Sequence, residues 1–168
     1  LNADWNLISG ITEAVSVYAI DDPDGIIIEN TLFGFSDAYF VTEELLPAEG
    51  YWIRTFEAGD ITLTSDATAR VASQDYSLNA NSISINGLDL YFGVELSDIE
   101  RLSYSLPPKP PTGAFDVRFK DGWRAVKDYG VVEVMPTSET LTISYDIQVE
   151  PGEHFYWALT SETGVEIV

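Results

Sequence analysis

Carboxylates dominate the side chains with which this chain could do chemistry. Its 168 residues include 28 Asp and Glu, 8 Lys and Arg, one His and no Cys. His154 is therefore the one imidazole available as the base of a Ser/His/Asp triad. No Gly-x-Ser-x-Gly motif accompanies it, because residues 34–38 (GFSDA) lack the second glycine. We interpret His154, which precedes the aromatic run 155–157, as a packing or surface residue.

The densest acidic loop is a candidate metal site. Asp21, Asp22 and Asp24 surround Pro23 and precede Gly25. Calcium prefers several carboxylate and carbonyl oxygens gathered on a tight turn. The loop lacks the ligand spacing and the closing Glu of an EF-hand. Two interpretations stay open: a calcium site, which makes calcium the one candidate cofactor, or a solvated turn.

Aromatic residues are the candidates for glycan binding. The chain has 4 Trp and 9 Tyr, and a carbohydrate-binding module needs several of them exposed in a row. Tyr51 and Trp52 are neighbours in one predicted strand, and Tyr156 and Trp157 are neighbours in another. Consecutive strand residues point to opposite faces, so we expect one member of each pair to face outward. These four are the predicted ligand-binding residues, for a polysaccharide or a cell-surface glycan.

A small glycan hydrolase is the enzymatic alternative. Such an enzyme requires two facing carboxyl groups in a walled cleft. With 28 acidic residues in the chain, no single pair is distinguished by its spacing. We therefore predict no catalytic residues and no enzymatic activity.

The net charge of −20 disfavours two classes of partner. Nucleic acids and anionic membrane surfaces bind basic surfaces, and no apolar run is long enough to span a bilayer. Residues 1–100 hold 18 acids and 2 bases, whereas all six bases of residues 101–168 lie between Arg101 and Lys127. That cluster is either an ordinary mixed surface or a docking surface for the acidic part. We expect the halves to form one rigid body, with strand 51–53 as the apolar contact and 65–81 ordered along the join.

Two-residue alternation indicates strands with one buried face. Residues 60–64 (DITLT), 82–86 (SISIN) and 140–145 (TLTISY) alternate polar and apolar side chains. Short strands separated by Gly and Pro turns are typical of an all-β fold. We predict three parts: a small strand-rich unit over 1–65, a connecting segment over 66–81, and an immunoglobulin-like β-sandwich over 82–168.

Local signals predict the connections. Asn86-Gly87 and Asp121-Gly122 are tight-turn dipeptides, and the second predicts a hairpin between residues 117–119 and 123–126. Ser97 followed three residues later by Glu100 predicts a capped helical turn.

A proline-rich break follows that turn. Residues 107–111 (PPKPP) predict an extended polyproline II segment, because proline cannot donate to a strand ladder. We interpret it as a rigid crossover between sheets rather than as a ligand for a proline-recognising groove.

The order of several short motifs resembles accessory modules of secreted proteins. The first part carries WNLIS (5–9), TLFGF (31–35) and LPAEGYWI (46–53), and the second carries LYFGV (90–94) and GAFDVRF (113–119). This order resembles β-rich modules near the C-terminal ends of large secreted multidomain proteins of Bacteroidetes-like bacteria, many of them type IX secretion cargo. The resemblance implies an extracellular or cell-surface location and an accessory role, and it implies no active-site residues.

The sequence thus favours a non-catalytic extracellular accessory, spacer or adhesion module of a larger secreted protein. Its expected partners are the other domains of that protein. The alternatives are a carbohydrate-binding module attached to a glycan-active enzyme and the small hydrolase considered above.

Overall fold

The structure, a computed structural model, describes residues 1–64, 75–148 and 156–167. Strands dominate these residues, which confirms the all-β prediction. Within the described ranges, helix is confined to one short α-helix and two 3-10 turns, Val17–Ala19 and Tyr76–Asn79.

The first unit is a four-stranded antiparallel sheet backed by a two-stranded one. Its larger sheet has the spatial order β1-β6-β3-β4, and β2 pairs with β5. The strands are β1 (Asp4–Ser9), β2 (Val15–Ser16), β3 (Phe33–Phe35), β4 (Tyr39–Val41), β5 (Glu44–Leu45) and β6 (Gly50–Thr55).

Alternation along β6 divides this sheet into two faces. Tyr51 and Ile53 point into the first core, which also contains five aliphatic residues: Val15, Ile20, Ile27, Leu32 and Leu45. Trp52 and Arg54 lie on the opposite face, in register with Leu7 and Trp5 of β1. On that second face Trp5 and Trp52 are half-buried, whereas Leu7 is 67% exposed.

The second unit contains two sheets around a separate core. One sheet has the order β10-β8-β7-β12, and the other pairs β11 with β9. Its elements are β7 (Asn81–Ile85), β8 (Leu88–Phe92), α1 (Asp98–Leu102), β9 (Asp116–Phe119), β10 (Ala125–Val126), β11 (Val132–Met135) and β12 (Ile143–Asp146). Its core is formed by six residues: Ile83, Ile85, Leu90, Phe115, Val117 and Phe119.

Two local predictions are confirmed. Asn86 and Gly87 have φ of 48° and 85°, the left-handed values that the two-residue turn between β7 and β8 requires. Ser97 caps α1 through a reciprocal capping box with Glu100.

The hairpin predicted at Asp121-Gly122 is wrong in its pairing. The turn forms, but only one bridge, between Phe119 and Trp123, links its two sides. β9 pairs instead with β11, and β10 runs parallel to β8. These long-range pairings bury the apolar residues of β9 and β10. That burial outweighs the local preference of the turn for a hairpin.

The strand predicted at 60–64 is also wrong. Thr62 makes a single bridge with Asp21, while Ile61 and Leu63 pack on the first core. The sequence alternates here because every second side chain of the segment packs on the core. The segment lies at an edge, where it has too few backbone partners to form a strand ladder.

The domain boundary at 65 stays a prediction, and the residues of the two cores lie on either side of it. The first core and its packing partners lie within residues 1–64, and the second core lies within 83–119. Most of the predicted connecting segment 66–81 falls on residues 65–74, which lie outside the described part of the chain.

Candidate functional site

The two units meet along a joint made by the β3–β4 hairpin and the proline-rich segment. The Tyr39 hydroxyl of β4 donates to the Pro108 carbonyl over 3.1 Å. The Phe115 amide donates to the Asp37 carbonyl, also over 3.1 Å, and Ala38 packs against the second core. The hairpin therefore inserts its turn against the second unit.

A buried ion pair fixes the proline-rich segment to β9. Arg118 and Asp116 are each 3% exposed. The Arg118 Nε and Nη2 atoms donate to the two Asp116 carboxylate oxygens over 2.5 and 2.8 Å, and Nη1 donates to the Pro107 carbonyl over 2.9 Å. All three nitrogens of the guanidinium are thus used, as burial of a charge requires.

Arg124 lies at the centre of the joint. Its guanidinium carbon is 5.3 Å from the Phe33 ring centroid of the first unit and 5.9 Å from the Tyr104 ring centroid of the second. Burial lowers the pKa of Arg124, and the neighbouring Tyr91, Tyr104 and acidic groups oppose that shift. Among the described residues, its buried Nε has no hydrogen-bond partner.

An open groove runs along the outside of this joint, and we call it the inter-unit groove. Its volume is about 460 Å³, within the range of about 300–1,000 Å³ that is usual for small-molecule sites. Trp5 and Arg54 of the first unit form one wall, and Lys109 and Trp123 of the second form the other. The groove exists only because the two units are packed together.

Each wall of the inter-unit groove carries an ion pair. Arg54 donates to Asp4 over 2.7 Å, and the Lys109 Nζ atom lies 2.8 Å from a Glu133 oxygen. The hydrogen bond from Lys109 lowers the pKa of Glu133, so this carboxyl is charged at neutral pH. Both walls therefore present donors and acceptors side by side.

The predicted aromatic pair on β6 is divided between core and joint. Tyr51 is 2% exposed, and its hydroxyl donates to Glu49 and accepts from the Leu46 amide. Trp52 is half-buried on the opposite face, where its indole hydrogen-bonds the Tyr39 hydroxyl. Tyr51 therefore offers no surface to a ligand.

The other predicted pair lies on the second unit. Tyr156 is 91% exposed. Trp157 is half-buried, with its ring centroid 4.8 Å from that of Tyr145 and 5.7 Å from that of Phe92. Since Tyr51 is in the first core and Trp157 packs on the second, the four predicted residues do not form one row.

The structure does not gather the acidic loop into a metal site. The two carboxylate oxygens of Asp22 accept hydrogen bonds from the Ile26 and Ile27 amides, over 2.9 and 3.0 Å. The Asp21 backbone pairs with Thr62, and Asp21 and Asp24 are both exposed. In the described ranges, no group of three or more Asp, Glu, His or Cys side chains could hold a metal. Asp22 serves instead as the cap of the turn.

The pKa values of the carboxyl groups are relevant to the hydrolase alternative, because a glycan hydrolase needs a carboxyl group as its general acid. Burial tends to raise the pKa of Asp75, but hydrogen bonds from Ser77 and Tyr104 outweigh it and leave the pKa lowered. Hydrogen bonds from lysines lower the pKa of Glu95 and of Glu133. A general acid needs a raised pKa, and none of these three has one. His154 lies outside the described residues.

Comparisons with known proteins add no family. A scan against protein-family models, a search of curated proteins and a search of solved structures each found no match to this chain. In the part of the chain that the structure describes, no helix combines the length and the apolar character needed to cross a bilayer.

Sequence reasoning missed the inter-unit groove. Trp5 and Trp123 are 118 positions apart in the numbering, and their approach depends on how the two units dock. The one available signal is the basic cluster from Arg101 to Lys127, which contributes Lys109, Arg118 and Lys120 to the groove.

Proposed function

We propose that this chain is a non-catalytic accessory module that acts as a rigid spacer or presentation unit in a larger extracellular protein. The observation that carries the proposal is the joint. Two separate cores are connected by two hydrogen bonds, by Ala38 packed on the second core and by the Arg124 guanidinium over the Phe33 ring. A spacer that holds its neighbours at a fixed distance needs this kind of connection.

Two further observations support the accessory role. Asp75, Glu95 and Glu133 each have a lowered pKa, which makes none of these three a candidate general acid for the hydrolase alternative. The extracellular setting follows from the resemblance in motif order and remains part of the proposal. We also propose the immunoglobulin-like class for the second unit, supported by its two sheets around one core; the parallel β8–β10 pair departs from that class.

The proposal predicts a single cooperative unfolding transition. In scanning calorimetry, units that unfold together give equal calorimetric and van't Hoff enthalpies. Tyr39→Asp places a carboxylate against the Pro108 carbonyl and should split the transition into two. Leu7→Asp is the matched control, because Leu7 lies on the same sheet and is 67% exposed. Two transitions in the unmodified protein would contradict the rigid-spacer function.

Glycan binding is the second candidate function. The observation that favours it is the exposed Tyr156 next to the Trp157–Tyr145 ring contact on the second unit. A glycan array probed with the protein and with Tyr156→Ala tests this surface: binding that Tyr156→Ala abolishes would support it, and binding that the variant leaves unchanged would exclude Tyr156.

A further inference from the structure

We propose that the inter-unit groove binds a neutral oligosaccharide between Trp5 and Trp123. The inference rests on the proposed rigid packing, since each unit supplies one wall. It is separate from the Tyr156 surface, because no residue of that surface lines the groove.

The two indoles are held in place before any ligand arrives. The Trp5 ring meets the buried Phe33 ring edge-on at 5.9 Å, and the Arg54 guanidinium lies 5.8 Å from the Trp5 ring centroid. The Arg101 guanidinium lies over the Trp123 ring, 4.1 Å from its centroid, and Trp123 packs on the second core, so a sugar would meet only the part of this indole that lines the groove. Fixed aromatic side chains contribute contact area at small entropic cost. The apolar C–H face of a sugar ring packs against such an aromatic surface.

The ion pairs supply polar groups suited to sugar hydroxyls. A hydroxyl both donates and accepts, and each wall pairs donors with acceptors: Arg54 with Asp4, and Lys109 with Glu133. The side chains of Asp4 and Lys109 are 63% and 52% exposed, so these pairs contribute little to folding. Their arrangement on facing walls is better explained by a ligand than by stability.

The backbone at Asp4 adds an independent observation. Asp4 has φ of 76°, a left-handed value that L residues seldom adopt, at the start of β1. Strained residues of this kind cluster at binding sites. Here the conformation accompanies placement of the Asp4 carboxylate beside Arg54 at the rim of the groove.

The charge balance selects a neutral ligand. Four of the eight basic residues line the groove, namely Arg54, Lys109, Arg118 and Lys120, together with three acids, Asp4, Asp121 and Glu133. The groove is therefore close to neutral on a protein of charge −20. An acidic polysaccharide would meet repulsion from the whole surface, whereas a neutral one would not.

The test is titration of the intact chain with neutral oligosaccharides of glucose, mannose or galactose and with a uronic-acid polysaccharide. We expect at least one neutral series to bind, with an affinity that salt does not change. Trp5→Ala and Trp123→Ala should each weaken binding by about tenfold. Asp4→Asn and Glu133→Gln alter only exposed or half-exposed groups and should weaken it severalfold, which keeps the test valid where a Trp variant does not fold.

The matched controls are Tyr156→Ala and Glu95→Gln. Tyr156 is an exposed aromatic residue and Glu95 belongs to an exposed ion pair with Lys127, and neither lines the groove. Both variants should bind like the unmodified chain. The inference is overturned if no neutral series binds, if only the uronic-acid polymer binds and salt abolishes it, or if the groove variants bind normally. Calorimetry of the same sample tests the rigid packing independently. Failure of the oligosaccharide inference can therefore be distinguished from failure of the rigid-spacer proposal.

Discussion

The two cores and the joint between them are built from different chemistry. The first core consists of aliphatic residues and Tyr51, and the second of aliphatic and phenylalanine side chains. The joint instead contains the Tyr39 hydroxyl and the Arg124 guanidinium, and the Arg118–Asp116 pair lies within the second unit. Apolar burial makes each unit stable, whereas directional hydrogen bonds across the joint determine how the units are oriented.

Breaking the buried ion pair of the second unit should have the largest effect. Asp116→Ala leaves the Arg118 charge buried with no carboxylate, at a cost of about 3–5 kcal/mol in the free energy of unfolding. The double variant Asp116→Leu/Arg118→Met removes both charges and should cost far less. Urea unfolding of the single and double variants measures the difference. Equal losses in both would mean that the pair acts through packing alone.

Truncation of core side chains should lower the free energy of unfolding by a comparable amount. It should also show whether the two units unfold in one transition. Leu45 and Leu90 are both 0% exposed, in the first and second core respectively. Replacing either with Ala should cost about 2–5 kcal/mol, whereas Leu7→Ala, at a side chain that is 67% exposed, should stay within about 0.5 kcal/mol. If the joint couples the units, each core variant lowers one common transition. If a core variant shifts the midpoint of only one part of the unfolding signal, the two cores unfold separately.

Replacing one aspartate of the acidic loop should lower the free energy of unfolding far more than replacing another. Asp22→Ala removes the acceptor of two amides that belong to the buried residues Ile26 and Ile27, and should cost about 1–3 kcal/mol. Asp24→Ala is the matched control and should change stability by no more than about 0.5 kcal/mol. Calcium should raise the melting temperature no more than magnesium does. A specific calcium effect that Asp24→Ala abolishes would restore the metal site.

Acid should lower the free energy of unfolding by a smaller amount. Asp75 and Glu133 both have a pKa lowered by folding, from ordinary values of 3.8 and 4.5. Their stabilising effect is therefore complete above those values and is lost as the pH falls below them. Glu133→Gln should flatten the decline in unfolding free energy below about pH 4.5, and the exposed Glu139→Gln should not. Identical pH profiles for the two variants would exclude a role for the Lys109–Glu133 pair.

The cores could be predicted from the sequence because strand alternation depends on neighbouring residues. Residues 82–86 alternate, and Ile83 and Ile85 are indeed buried. The joint could not be predicted in this way. Nothing in the local sequence indicates that Arg118 is buried while Lys120 is exposed, because that difference depends on the Pro107 carbonyl arriving from another segment. The β9–β11 pairing was hidden for the same reason: it joins segments separated by a strong turn signal.

The candidate site residues also divide into those whose burial depends on the local strand and those whose burial depends on how the two units pack. Tyr156 is exposed, but residues 156–159 form no strand, so its exposure does not follow from the predicted alternation. Tyr51 was the inward member of its pair, and its partner Trp52 faces the joint rather than open solvent. Trp5 and Trp123 could not be singled out, because an aromatic residue in a strand indicates burial and ligand binding equally well.

The rigid joint is tested most directly by a distance measurement across it. The chain has no cysteine, so Ser9→Cys on β1 and Ser144→Cys on β12, both exposed, accept a pair of spin labels without competing sites. Double electron–electron resonance should give one narrow distance distribution, a few ångströms wide, that salt leaves unchanged and Tyr39→Asp broadens. A broad distribution in the unmodified protein would show two units on a flexible connection and would contradict the rigid module proposed here.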